Sequence, residues 1–407
     1  MFSKALLEKL TPEMSGLTQE LPLGVKFLRI WAFDPNTAVI DYMVDNIRVA
    51  FDIIHMQREA SISVEMLCRS NEPFILASLG REKIAHTRVR LSKHGDAERS
   101  EELLNRIISD CRRALHEMAG LAHLAIDRQF SSILQLEQQP IICDVGANPV
   151  DEPPYANMLA LRLCKVVGFE PQPEAYENLR HRNPENELYF PRAVGKAGTH
   201  HLNIYQASGF TSTFEIDDAT LAFIGSERWK QLARLKRVEP IRCIPLDDMP
   251  DLPDFDMLKI DIQGGELSVF ETGKTKLSKA VCVITEVSFF PLYKDAPGLG
   301  DQHRELMQQG FLLHKFMNPK SMHIHSTHSD SELITRNRSQ LIDGDAVYIR
   351  DLRAIAEWPS NQIKSLAALA HFVFDSKDIV LRCLDVLISR KALPADSGKK
   401  CAKLYGG

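Results

Sequence analysis

Apolar residues follow two different rhythms along the chain, and the changes of rhythm divide it into three regions. In residues 1–138 the spacing is mostly that of helices. In "SEELLNRIISDCRRALHEMAG" the positions Leu103, Leu104, Ile107, Ile108, Cys111, Leu115 and Met118 fall on one helical face. Ser100 is placed to cap its start and Gly120 to end it. A second helix is expected through Leu121, Leu124, Phe130, Ile133 and Leu136, and another over "TAVIDYMVDNIRVAFDIIHM". The stretch "EKIAHTRVRL" reads as a strand. This region is expected to be a mainly helical N-terminal domain without a catalytic motif, serving packing or homo-oligomerisation.

Residues 139–352 change character. Short runs rich in Val, Ile and Cys, among them "PIICDVG", "CKVVGFE", "FDMLKID", "VCVITEV" and "DAVYIRD", alternate with helical patterns. Apolar strands alternating with helices predict an α/β fold with a mostly parallel sheet covered on both faces. Residues 353–407 return to helix. "NQIKSLAALAHFVF" and "KDIVLRCLDVLISR" are expected to form a C-terminal helical hairpin broken near Asp375 and Ser376, followed by a loose tail "SGKKCAKLYGG".

Composition narrows the class without naming a function. At 407 residues the chain has material for two or three units. A formal net charge of −5 gives no basic footprint, so nucleic acid is not an expected partner. No apolar run is long enough for a membrane span, and the start lacks a signal-peptide pattern, so a cytoplasmic location is expected. Eight scattered cysteines form no CxxC pair and read as buried, reduced thiols.

Parallel sheets bind ligands beyond the carboxyl ends of their strands. The polar residues ending the apolar runs are therefore the candidates: Asp144, Glu170, Asp261 and Glu286. In "DVGAN" (144–148), Gly146 lets the backbone approach a ligand closely because it has no Cβ. Glu170 ends the second run, where nucleotide-binding α/β folds grip ribose hydroxyls. A carboxylate accepts two hydrogen bonds from a diol, which suits it to that position. In "KIDIQGGE", Asp261, Gln263 and Glu266 emerge at one sheet edge around Gly264 and Gly265.

The segments "DVGAN", "VVGFEPQPEAYENL", "DMLKIDIQGGELSVFETG" and "VITEVSFFPLY", in this order over residues 141–350, resemble the FkbM family of S-adenosylmethionine-dependent methyltransferases. The resemblance implies a class I methyltransferase domain, with a Rossmann-like seven-stranded sheet whose last strand runs antiparallel. It implies S-adenosyl-L-methionine as cofactor. Asp144, Gly146 and Asn148 would contact its amino-acid end, Glu170 with Pro171 its ribose, and Ala193 and Val194 would lie near the adenine. Asp261 would lie next to the methyl group as candidate base and cofactor contact, with Glu266 and Glu286 behind it as further catalytic candidates. The acceptor class it implies is a hydroxyl of a sugar, glycan or related small molecule. Two departures stand out: Val150 where the family usually has glycine, and Gln263 where it more often has glutamate.

Two other readings compete. A nicotinamide-dependent oxidoreductase is disfavoured because the first loop lacks G-x-G-x-x-G. A non-catalytic protein that keeps the fold is suggested by the altered first loop and opposed by the retained acids Glu170, Asp261, Glu266 and Glu286. His323, His325 and His328, with Asp330 nearby, lack a fixed zinc spacing and read as a polar loop, so no metal is expected. "SERWKQLARLKR" reads as a basic helix with a solvated face, the alternative being contact with an anionic acceptor. "SGFTSTFE" is either a polar loop or a cover over the cofactor.

Overall fold

The computed structural model describes residues 126–149, 152–182, 185–328 and 338–405, together with the backbone of six strands between 26 and 90. The chain divides into two compact units, residues 1–133 with 399–407, and residues 134–398.

In the first unit the strands are β1 (Lys26–Asp34), β2 (Thr37–Val44), β3 (Ile47–Met56), β4 (Ser61–Leu67), β5 (Arg69–Ser70) and β6 (Lys83–Arg90). They pair antiparallel in the order β1-β2-β3-β4-β6, with β5 against β3. The helix expected over 37–56 is therefore two paired strands, with Thr37 opposite Ile54 and Val44 opposite Ile47. In β3, Ile47, Val49, Phe51 and Ile53 alternate with Arg48, Ala50, Asp52 and Ile54. That period of two and the β-branched content outweigh the helical spacing. The sequence Asp45-Asn46 pairs two residues of low helix propensity. The strand expected in "EKIAHTRVRL" is β6. The helix expected over 100–120 lies outside the described residues. Residues 126–134, part of the second expected helix, are helical.

In the second unit, the main sheet consists of β7 (Ile141–Val145), β8 (Lys165–Phe169), β9 (Glu187–Phe190), β13 (Met257–Ile260), β14 (Cys282–Ser288), β15 (Phe311–Met322) and β16 (Gln340–Arg350). Their order is β15-β16-β14-β13-β7-β8-β9. The five strands from β14 to β9 are mutually parallel, and β16 runs antiparallel between β14 and β15. This is the class I methyltransferase sheet, with the antiparallel last strand inserted beside its neighbour. The central strands are buried on both faces, which is why they read as continuous apolar runs. Val145, Phe169, Leu258, Ile260, Val283 and Tyr348 share one core cluster. Each buried aliphatic or aromatic side chain of this kind contributes about 1.5–3 kcal/mol relative to exposure.

A second, three-stranded sheet orders β10 (Ala193–Val194), β12 (Leu235–Ile244) and β11 (Gly198–Tyr205) as β10-β12-β11. The short helices α3 (Asp218–Ile224) and α4 (Glu227–Leu232) follow β11, after α1 (Ala156–Ala160) and α2 (Pro173–Leu179) of the main sheet. The expected basic helix thus stops at Leu232, and Leu235 onward pairs with β11 as strand. Tyr205, Ile216, Leu221 and Tyr293 form a small core here, with Phe210, Phe214 and Trp229 packed against it. This cluster stands beside the carboxyl ends of β13 and β14.

The remaining helices are α5 (Glu266–Thr272), α6 (Lys274–Leu277), α7 (Leu299–Gln308), α8 (Ser360–Phe372), α9 (Lys377–Ser389) and α10 (Ser397–Leu404). The expected C-terminal hairpin is α8 and α9, broken where Asp375 adopts a left-handed φ of 38°. The tail expected to be loose forms α10, whose Cys401 is fully buried and anchors it. Among the described residues Cys143, Cys164, Cys243, Cys282, Cys383 and Cys401 are all buried free thiols, and burial raises each of their pKa values. No helix among the described residues is long and apolar enough to cross a membrane.

Candidate functional site

The first loop is built on β7. Asp144 is buried near its end, and in register beside it on β13 sits Lys259. A lysine in a buried strand needs a partner. Lys259 Nζ lies 3.3 Å from Asp144 Oδ1 and 3.5 Å from the Gly146 carbonyl oxygen. Burial opposes the lysine's charge, yet Asp144 and Asp261 more than offset it and raise its pKa. Tyr155, the residue before α1, donates its hydroxyl to Asp144 Oδ2 at 2.5 Å. Asp144 is thus held from both sides. Gly146 has φ of +80°, and a Cβ there would meet the Asp261 carbonyl oxygen at 2.1 Å. Only glycine fits this close crossing of two backbones. Val150 and Asp151, where the loop was expected to leave the usual family turn, lie outside the described residues.

Glu170 follows β8. Its backbone N–H donates to the Phe190 carbonyl, which fixes the strand end against β9. The carboxylate is 2% exposed and accepts the Gln172 N–H at 2.7 Å. Burial pushes its pKa up to about 7, with the Gln172 N–H opposing that rise.

Beyond β13 the segment Asp261–Gly265 makes a tight turn into α5. Gln263 has φ of +58° and Gly264 of +109°. Glu266 holds this turn closed. Its Oε1 accepts the Ile262 N–H at 2.8 Å and its Oε2 the Gly264 N–H at 2.9 Å. Glu266 is 1% exposed, and burial pushes its pKa up to about 7. Glu286, on β14, faces Asp345 of β16 in register. Burial raises its pKa, and the neighbouring Asp261 and Asp343 raise it further. Burial also raises Asp345, again with Asp261 adding to it. Besides Lys259, which also acts on Asp261 and Asp345, Lys320 stands among these acids: its Nζ is 2.9 Å from Asp343 and 4.0 Å from Glu286. It comes from a register shift in β15, where Asn318 takes a left-handed φ of 48°. Bulges of this kind re-aim side chains beside functional sites.

These elements enclose one cavity of about 760 Å³. Asp144, Gly146, Asn148, Glu170 and Pro171 line one side of it. Ala193, Val194, Asp261 and Glu286 line it as well. Glu266 alone of the expected residues does not, because its carboxylate is engaged by the backbone of its own turn. Thr211, Thr213 and Phe214, from "SGFTSTFE", also face the cavity. His325 packs its ring against Gly225, and Asp330 lies outside the described residues. Sequence reasoning missed Lys259, Tyr155, Tyr293 and Lys320. Only Lys259 left a signal, as a charged residue inside an apolar strand.

The profile of the methyltransferase FkbM domain matches residues 144–313. The chain contains an FkbM methyltransferase domain. Its matched span runs from Asp144 through the first residues of β15 and includes every strand-end acid named above. No curated protein matches the chain. Among solved structures it is similar to a precorrin-6y C5,15-methyltransferase from Geobacter metallireducens GS-15, at 12% identity and a TM-score of 0.27 over 55% of this chain and 87% of that one. It is similar to the magnesium protoporphyrin IX methyltransferase of Synechocystis PCC 6803, solved with bound S-adenosylmethionine, at 10% identity and 0.26 over 57% and 83%. A third is the Burkholderia thailandensis 1,6-didemethyltoxoflavin-N1-methyltransferase, at 9% and 0.25 over 79% and 99%. The FkbM domain's fold is defined here by its strand order rather than by these distant likenesses. The antiparallel β16 also separates it from the dinucleotide-binding fold, whose strands follow the order 3-2-1-4-5-6 in a mostly parallel sheet.

Proposed function

We propose that the FkbM domain is an S-adenosylmethionine-dependent O-methyltransferase acting on a hydroxyl of a sugar, glycan or related small molecule. One observation carries this reading. A single cavity joins a carboxylate suited to a diol, Glu170, to a group of carboxylates suited to a cation and to a proton, Asp261 and Glu286. The donor set fits the cofactor. Glu170 would accept from the ribose hydroxyls, and Phe169 with Val194 supplies apolar wall for the adenine. The amino-acid end would meet the Gly146–Asn148 turn.

When bound, the cofactor supplies a methyl group already activated on a sulfonium. The chain's own residues then have two tasks. The first is alignment, which is worth roughly 7–11 kcal/mol when two reactants are held in line. The tight Asp261–Gly265 turn, closed by Glu266, makes that part of the site rigid. The second is removal of the acceptor's proton, typically worth about 10²–10⁴-fold. Asp261 is the proposed base, with Glu286 beside it. Phe214, Thr211 and Thr213 offer a flat apolar face and hydroxyls to a polyhydroxylated acceptor.

Incubating the purified protein with methyl-labelled S-adenosylmethionine and a panel of free glycans, followed by mass spectrometry, tests the assignment. A product carrying one labelled methyl ether is expected. Label found only on nitrogen or carbon of an acceptor would overturn the hydroxyl assignment.

A further inference from the structure

The carboxylates at the β13 and β14 ends stand unusually close. Oxygens of Asp261, Glu266 and Glu286 lie within 4.8 Å of one another. Like charges at that spacing repel, and a site of this kind needs a proton, a cation or a dense set of donors to hold it together. Glu266 is served by the backbone of its turn. Asp261 and Glu286 are served by something else. Gln263 Nε2 lies 2.8 Å from Asp261 Oδ1 and 2.5 Å from Glu286 Oε2. An amide nitrogen carries two hydrogens, and here each is directed at a different carboxylate.

The amide is favoured in this orientation by its neighbours. Its oxygen accepts from the Tyr293 hydroxyl at 2.9 Å, a proton shared with the Phe210 carbonyl at 3.0 Å. The reversed amide would place its oxygen between two carboxylate oxygens and lose that donor. The backbone is held as firmly. Gln263 sits in the left-handed region at φ +58°, an uncommon place for a residue with a side chain. Ser212 Oγ donates to the Gln263 carbonyl at 2.6 Å, and Glu266 binds the N–H groups on either side. Strain that is fixed from several directions is the kind found where a site must be pre-arranged.

We propose that Gln263 is a positioning residue: its amide nitrogen takes the place of a bridging cation between Asp261 and Glu286 and keeps both carboxylates aimed into the cavity. The proposal rests on the reading of these two acids as the groups that act on the acceptor. Gln263 itself takes no proton from the substrate. It acts through the two acids, and Tyr293 acts through Gln263. Exchanging the amide nitrogen for oxygen turns a bridge into a fourth carboxylate with the same shape. The space between the acids then becomes a seat for a divalent cation, bound by oxygen ligands of the kind Mn²⁺ prefers.

The test uses the full chain and Mn²⁺ alone, so it does not depend on finding the acceptor or on methyl transfer. Binding is followed by the electron paramagnetic resonance signal of free Mn²⁺, and unfolding temperature is measured with EDTA and with Mn²⁺. Gln263→Glu is expected to bind Mn²⁺ at least tenfold more tightly than the natural protein, and to unfold at lower temperature in EDTA but recover when Mn²⁺ is added. Gln263→Ala, which opens the space without adding charge, is expected to bind Mn²⁺ with intermediate affinity. It serves on its own if the glutamate variant does not fold. Adding Asp261→Asn to either variant should abolish the gain. Equal Mn²⁺ affinity in the natural protein and the variants would overturn the proposal. So would a gain that survives Asp261→Asn.

Discussion

The two ends of the cavity handle buried carboxylates in opposite ways. At the β8 end, Glu170 has no hydrogen-bonded link to another acid, accepts one backbone N–H from Gln172, and is left with a pKa raised to about 7 by burial, with Asp144 adding to the rise. At the β13–β14 end, Asp261 and Glu286 are joined through one amide, and Glu266 is tied into the turn beneath them. The first arrangement leaves an acid with unmet capacity for hydrogen bonds, which suits it to a ligand that brings donors. The second fixes its acids before anything binds, which suits it to moving a proton in a set geometry. Under the proposed function, binding and chemistry would thus be built from the same residue type by different neighbours.

The largest expected effect lies at the second end. Asp261→Asn should lower turnover about 10²–10⁴-fold, as loss of a general base does. Cofactor affinity, read by calorimetry, should stay within a few-fold. A large loss of affinity with unchanged turnover would reverse the assignment of the two ends. Glu170→Gln should do the converse, weakening S-adenosylmethionine binding about 10- to 100-fold, the range for losing a hydrogen bond to a charged group. Next comes the hinge between the ends. Gly146→Ala forces a Cβ against the Asp261 carbonyl in a left-handed backbone, and should cost at least about 3 kcal/mol of stability in urea unfolding. Tyr155→Phe removes a hydrogen bond to buried Asp144 and should cost about 1.5–3 kcal/mol in the same measurement.

The smallest effect is a pH dependence. The folded pKa of Glu170, about 7, lies above the 4.5 ordinary for a glutamate, and so does that of Glu266. Between these values the folded chain keeps protons that the unfolded chain releases. Each group's contribution to stability is therefore full below pH 4.5 and is lost as pH rises towards 7. Glu170→Gln should flatten that fall and leave the protein about 1–3 kcal/mol more stable than the natural chain at high pH, the order expected for relieving a buried charge. An unchanged slope would mean that Glu170 is better solvated than its 2% exposure suggests.

Much of the site was legible because strand ends follow from apolar runs. Asp144, Glu170, Asp261 and Glu286 could be placed on one rim once the runs were read as parallel strands. Glu266 shows where that reasoning stops. Its spacing from Asp261 puts it at the same sheet edge, but which way its side chain turns depends on the left-handed backbone at Gln263 and Gly264. No apolar pattern encodes that geometry. The bridge from Gln263 was hidden for a related reason: its partners lie 2 and 23 positions away, and Tyr293 is 30 away. In the N-terminal unit, β3 has both a strand period and enough apolar residues to mimic a helix. Pairing with β2 and β4 decides between them, and pairing is a long-range property.

Calorimetric titration of the full chain with S-adenosylmethionine, repeated with Glu170→Gln and with NAD, tests the central claim most directly. Saturable binding at one site is predicted for S-adenosylmethionine, weakened in Glu170→Gln, with no binding of NAD. Absence of S-adenosylmethionine binding, or NAD binding of equal strength, would contradict the account.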